Sequence, residues 1–164
     1  MDDTSPFSVV ARYQHSAPVD LQAISRDLGI KVYTARLGSS ISGQLMRDSV
    51  RGGPSGFAIY LNSEQHPNRQ RFTHAHEIAH FILHRDLINT GLIDDTMYRS
   101  ELSNQYEVQA NRLAADILMP IRLVKKLRQQ QHDPNYLARL FQVSPEAMKI
   151  RLDSIDRGLV NRPI

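Results

Sequence analysis

The pentapeptide His76-Glu77-Ile78-Ala79-His80 constrains this chain more than any other feature. Its two imidazoles can meet at one point only on a helix, where residues i and i+4 stand one turn apart on the same face. In a strand the same two positions would lie about 13 Å apart. The surrounding residues 70–84, QRFTHAHEIAHFILH, suit a helix, with Phe72, Ala75, Ala79 and Leu83 as an apolar stripe beside the histidines. Two imidazoles so placed can hold one metal ion, and Glu77 beside them offers a carboxylate able to take a proton from an attacking water. The same string also arises among ordinary helix histidines, so the rest of the chain has to supply what a metal site needs.

A catalytic zinc site takes three protein ligands and leaves a fourth position open. His84 continues the four-residue spacing, but eight residues of helix rise about 12 Å. Ligand atoms around zinc each lie only ~2 Å from the ion, so the third ligand has to come from elsewhere. A second helix is expected over roughly residues 104–118, stopping before Pro120. Along it Glu107, Ala110 or Asn111, and Ala114 share a face, with Ala115 beside them. The alanines would allow close packing on the first helix, projecting Glu107 toward the two histidines. His–His–Glu is a recognised zinc set that needs no cysteine. Spacing alone leaves a second reading equally open, in which Glu107 is a solvated first-turn carboxylate favoured by the helix dipole.

Composition narrows the class. A chain of 164 residues with 41% apolar and 23% charged residues is one globular domain. The absence of cysteine excludes a disulfide scaffold, an iron–sulfur cluster and a thiolate metal site, and favours a reducing compartment. The acidic start MDDTSPFSVVARY is unlike a secretory signal, and no segment approaches the ~18 apolar residues needed to span a bilayer. A cytoplasmic protein with no membrane partner is expected. The first eight residues read as loose. Asp20 is placed to cap a helix carrying Leu21, Ile24 and Leu28, and Gly29 to stop it. Strands are expected at 30–37, around 42–45 and, most clearly, at 57–62. Residues 85–104, with Gly91 and Asp94-Asp95, read as a long connection with a short helical piece. Helices around one small sheet make an α+β fold.

Several separate segments then carry a resemblance. RQRFTHAHEIAHFILH, followed 27 residues after its second motif histidine by E-x-x-A-N-R-L-A-A-D-I-L-M-P, is similar to the ImmA/IrrE family of metallopeptidases. So are PVDLQAISRDLGIKVY, ISGQL and AIYLN upstream, so the likeness runs from about residue 18 to residue 155. The resemblance implies a zincin-like metallopeptidase core. It implies zinc held by His76, His80 and Glu107, with manganese also accepted by such a set, and Glu77 as catalytic base. It implies a minimal catalytic unit of residues 1–164, without the helix-turn-helix domain fused to some relatives or the extra C-terminal domain of the radiation-response members. It also implies a substrate, a helix-turn-helix transcriptional repressor often encoded nearby on mobile elements or stress-response loci. Three positions depart from the family pattern: His74 stands where an apolar residue is common, Leu113 for phenylalanine and Asp116 for glutamate. His74 lies about 200° around the helix from His76 and should not join the ligands.

An endopeptidase reading assigns strand 57–62, just before the motif helix, to the cleft as a surface for strand addition. A second stabiliser for the developing oxyanion is left open among Tyr98, Tyr106, His74 and Arg71. Residues 121–164 carry 9 Lys/Arg against 4 Asp/Glu, whereas residues 1–120 carry 11 against 13. This basic end, with YLARLFQVSPEAMKIRLDSI, resembles two helices of a helix-turn-helix, Ser144 capping the second and Pro145 at its first position. In a nucleic-acid reading Lys149 and Arg151 face a groove, with Arg122, Lys125, Lys126 and Arg128 near phosphates. In the plainer reading the segment closes the helical end of the domain. Two competing functions remain: a non-cleaving, zinc-containing regulatory or antitoxin-like binding module, and a metal-assisted hydrolase of something other than peptide. Retention of Glu77 speaks against the first, because a structural site needs no general base.

Overall fold

The computed structural model describes residues 5–88 and 101–160. Two short helices, α1 (Pro6–Arg12) and α2 (Leu21–Asp27), precede strand β1 (Ile30–Ala35). Strands β2 (Gly43–Arg47) and β3 (Phe57–Asn62) follow, then the long helix α3 (Pro67–Ile88). Helices α4 (Glu101–Leu118), α5 (Ile121–Gln130), α6 (Pro134–Phe141) and α7 (Pro145–Asp156) complete the chain, an α+β arrangement as expected. Among the described residues no helix is long and apolar enough to cross a membrane.

Residues 5–8, expected to be loose, instead start a helix. The Ser5 side chain caps α1 by accepting from the Ser8 amide, and Val10 is fully buried. Helix α2 begins as anticipated, with the Asp20 carboxylate accepting from the Ala23 amide at 3.0 Å. It ends at Gly29, whose φ of +76° suits the residue without a side chain.

The sheet has strand order β1-β3-β2, with β1 parallel and β2 antiparallel to β3. This corrects the assignment of β3 to the cleft. Both of its hydrogen-bonding edges are taken by neighbours, and five of its six residues are buried, so it cannot accept a further strand. The clear apolar run in FAIYLN marks a central strand, buried on both faces. Among the described residues β2 is the edge strand on that side.

Helix α3 packs against the sheet, α2 and α4. Its buried residues, Thr73, His74, Ala75, Glu77, Ile78, Ala79, Phe81 and His84, wrap around much of its circumference. Leu83, assigned to the apolar stripe, is instead 40% exposed. The stripe argument assumes one buried face, and this helix is covered on several sides. Phe81 meets Phe57 of the sheet edge-to-face, with ring centroids 5.3 Å apart. Ala110 and Ala114 of α4 are fully buried, which lets α3 and α4 approach closely as their small side chains suggested. Of the connection expected over 85–104, α3 takes residues to Ile88 and α4 begins at Glu101; Gly91 and Asp94-Asp95 lie outside the described residues.

The C-terminal helices follow the expected pattern closely. Gln142 turns the chain between α6 and α7 at φ +54°, and the Ser144 hydroxyl accepts from the Ala147 amide at 3.0 Å. Leu137, Phe141, Met148, Leu152 and Ile155 are buried between these helices and the rest of the core. Arg151 is the exception. In the nucleic-acid reading it faces a groove with Lys149, yet it is only 5% exposed. Its Nε donates to the Met119 carbonyl at 2.9 Å and its Nη2 lies 2.7 Å from Asp116 Oδ1 of α4. The last contact is an ion pair, not a well-aligned hydrogen bond, since neither atom has a partner in good geometry. Arg128 is also engaged, bidentate to Asp156 at 2.6 and 3.0 Å. Helix α7 therefore turns an arginine of the supposed groove face into the core.

Candidate metal centre

Helix α3 brings His76 and His80 one turn apart, and α4 crosses it so that Glu107 faces both. The three donor groups converge: His76 Nε2 and His80 Nε2 are 3.0 Å apart, and Glu107 lies 3.2 Å from the first and 3.1 Å from the second. Ligand distances of about 2.0–2.2 Å in tetrahedral geometry set donors about 3.3 Å apart. The triangle is thus slightly tighter than an occupied zinc site, and small outward shifts accommodate a divalent ion. The donor types, two imidazoles and a carboxylate, suit that ion as well. This is the one group of three or more such side chains, among the described residues, arranged to hold a metal. Spacing alone leaves Glu107 open between ligand and solvated carboxylate; here it lies within 3.2 Å of both histidines, on a helix whose buried Ala110 and Ala114 allow close approach.

The electrostatics fit mutual attraction. The adjoining imidazoles of His76 and then His80 hold the Glu107 carboxyl well below the usual carboxylate range. At His76 burial opposes the charged form, but the Glu107 hydrogen bond and nearby carboxylates outweigh it and raise the pKa. A carboxylate held ionised beside a histidine that favours its charged form marks a place suited to positive charge.

Glu77 is buried beside the triad. Loss of solvent pushes its pKa up, against the opposing pull of His80 and His76. A backbone hydrogen bond from Leu45 reaches its carboxylate, so the edge strand β2 lies next to the group proposed as base. That adjacency has no trace in the spacing of residues 45 and 77.

Each histidine is also held from behind. His76 Nδ1 is 2.9 Å from Asn111 Oδ1, one turn beyond Glu107 on α4. His80 Nδ1 is 3.0 Å from His84 Nδ1, and His84 Nε2 is 2.9 Å from Gln109 Oε1. His84 was rejected as a ligand on helical rise, and the structure agrees: it sits behind His80, its ring 4.7 Å from that of Tyr106. Gln109 went unnoticed in the sequence, since nothing about an exposed glutamine on α4 signals contact with a histidine of α3.

His74 points elsewhere. It is 4% exposed with its Nε2 2.7 Å from Ser25 Oγ of α2, and burial lowers its pKa to about 4. Arg71 likewise donates to the Val19 carbonyl. Both face the α2 side, away from the triad, which removes them as oxyanion stabilisers. Tyr98 lies outside the described residues, and Tyr106 packs on His84.

Comparison with known proteins gives the same picture. The profile of the IrrE N-terminal-like domain matches residues 25–153. The chain is 38% identical over 74 residues to the radiation response metalloprotease IrrE of Deinococcus deserti, covering 45% of this chain and 26% of that protein. It is 43% identical over 67 residues to the protein of the same name from Deinococcus radiodurans, covering 41% and 20%. The matched stretch thus spans about a quarter or less of these relatives. In three dimensions the fold is similar to a Mycobacterium tuberculosis transcriptional regulator, at a TM-score of 0.60 and 20% identity over 93% of this chain and 47% of that one.

Proposed function

Because the chain belongs to the IrrE N-terminal-like domain family, we propose that it is a zinc-dependent endopeptidase that cuts a specific intracellular protein. The observation that supports this most is a buried carboxylate, Glu77, packed against a His–His–Glu triad that needs no such neighbour to bind a metal. His76, His80 and Glu107 would hold the ion. When bound, zinc supplies Lewis acidity, polarising the scissile carbonyl and making water easier to deprotonate. Glu77 takes the proton from the attacking water and hands it to the leaving amine nitrogen as the C–N bond breaks. Its buried setting strengthens it as a base, which suits the first of these transfers.

Substrate placement follows from the strand order. With β3 enclosed, β1 and β2 are the edge strands, and β2 is the one beside Glu77, so its outer edge is the one proposed to pair with an extended peptide. Leu45 links that strand to Glu77, so a peptide laid along it would carry a carbonyl past the base. The proposed substrate is a helix-turn-helix repressor, in keeping with the resemblance described above. The cytoplasm is the proposed location, consistent with a cysteine-free chain. The C-terminal helices close the domain in this reading. Burial of Arg151 and pairing of Arg128 weaken the alternative of a nucleic-acid face.

Metal content after dialysis, measured with and without Glu107→Ala, tests the first half. Near one zinc per chain, lost in the variant, is expected. Incubation with candidate repressors, wild type against Glu77→Gln, tests the second. Cleavage by wild type alone is expected. Stable zinc with complex formation but no cleavage would transfer the protein to the non-cleaving binding modules.

A further inference from the structure

The hydrogen bonds behind the histidines have a direction, and it sets which nitrogen of each histidine is ready to bind a metal. A neutral imidazole carries one N–H and one lone pair, so fixing one nitrogen fixes the other. The chain begins at Gln109 Oε1, an acceptor 2.9 Å from His84 Nε2. His84 must donate there, which leaves His84 Nδ1 with a lone pair. His80 Nδ1, 3.0 Å away, must then donate to it, which leaves the lone pair of His80 on Nε2. That nitrogen is the one 3.1 Å from Glu107 Oε1 and 3.0 Å from His76 Nε2. Turned over, the Gln109 amide would donate to His84, every bond in the chain would reverse, and Nε2 of His80 would carry a hydrogen where the metal has to be.

We infer that Gln109 and His84 are positioning residues for the metal, setting through two hydrogen bonds which nitrogen of His80 presents its lone pair. His76 receives the same treatment in one step from Asn111 Oδ1 at 2.9 Å. Helix α4 thus contributes three functions within five residues: Glu107 as a ligand, Gln109 acting through His84, and Asn111 acting on His76. The two ligands are held with different stiffness. Asn111 touches His76 directly, whereas His80 depends on a partner on its own helix that in turn depends on α4. The inference rests on the metal-site reading above.

The test is zinc affinity of the 164-residue chain, measured by competition with a chromophoric chelator. Gln109→Leu removes the acceptor and is expected to weaken zinc binding about 10- to 100-fold, as is usual for partners one step behind a metal ligand. Gln109→Glu keeps an acceptor-only oxygen and is expected to retain or tighten affinity, because it forbids the reversed direction. His84→Phe is expected to match Gln109→Leu, with unchanged unfolding temperature of the metal-free protein in the glutamine variants. In the zinc-loaded protein, nitrogen-15 shifts of His80 are expected to show Nδ1 protonated and Nε2 metal-bound. Zinc affinity of Gln109→Leu within threefold of wild type, or equal loss in the Glu and Leu variants, would overturn the positioning role while leaving the metal site standing. Failure of the wild-type chain to bind zinc would overturn both.

Discussion

Replacing Arg151 by methionine tests the packing of the C-terminal helices most sharply. The guanidinium is 5% exposed, shares a 2.7 Å ion pair with Asp116 and donates to the Met119 carbonyl at 2.9 Å. Methionine keeps much of the aliphatic stem but leaves a carbonyl without its donor and a largely buried carboxylate without its counter-ion. Removing one partner of a buried pair costs about 3–5 kcal/mol. Asp116 retains 19% side-chain exposure, so water can partly re-solvate it and the lower end, about 3 kcal/mol, applies. For a domain of this size each kcal/mol lowers the midpoint by roughly 2–4 °C, giving a fall of about 10 °C. Thermal unfolding followed by far-ultraviolet circular dichroism measures it, with Lys149→Met as a control. Lys149 is exposed on the same helix and should stay within about 0.5 kcal/mol of wild type. Adding Asp116→Asn to Arg151→Met should cost much less than the two single changes summed, because the orphaned charge is gone. If Arg151→Met unfolds with the Lys149 control, or the double variant is additive, the buried-pair reasoning is wrong.

Two further outcomes follow from other parts of the fold. His74, with its pKa lowered to about 4 by burial, binds its proton in the unfolded chain from about pH 6.5 downward but in the folded chain only near pH 4. Its contribution is full above pH 6.5 and is lost as pH falls to about 4, at most about 3 kcal/mol. His74→Gln should flatten the stability-versus-pH curve of metal-free protein across that window; identical slopes would refute the assignment. Gly43→Ala would bring a Cβ to 2.5 Å from Thr73 Cγ2 and 2.9 Å from the Tyr60 carbonyl. Such overpacking should cost about 1–3 kcal/mol in urea unfolding and displace β2 from α3, and the proposed peptidase activity should fall further than stability explains.

What the sequence carried well was local and periodic. The i, i+4 histidines, the capping residues Asp20 and Ser144, and the alanines of α4 each act within one or two helical turns, and each holds in the structure. What it hid depends on which elements meet. FAIYLN reads as a strong strand, but whether a strand is central or at an edge is set by its neighbours' pairing. A lysine and an arginine two positions apart on α7 look alike until Asp116, from another helix, draws one of them inward. Helical rise keeps His84 out of the triad, yet its place behind His80 depends on Gln109, a residue with no distinctive neighbours. The metal triad was legible because two of its three members are local to each other; the bonds that orient it were not, because each crosses between helices or ends on an ordinary amide.

Among the described residues no strand pairs with the outer edge of β2, and such an edge carries a hazard. An unpaired sheet edge templates any extended chain it meets, including a second copy of the same sheet, and growth along such edges leads to aggregates. Here the strand is five residues long, starts at a glycine and ends at an arginine whose guanidinium lies 5.1 Å from the Phe57 ring centroid. A ladder that short gives a passing peptide a few hydrogen bonds but offers two copies of the protein little to hold on to. Brevity thus acts as a guard against self-association at the edge where the proposed substrate would pair.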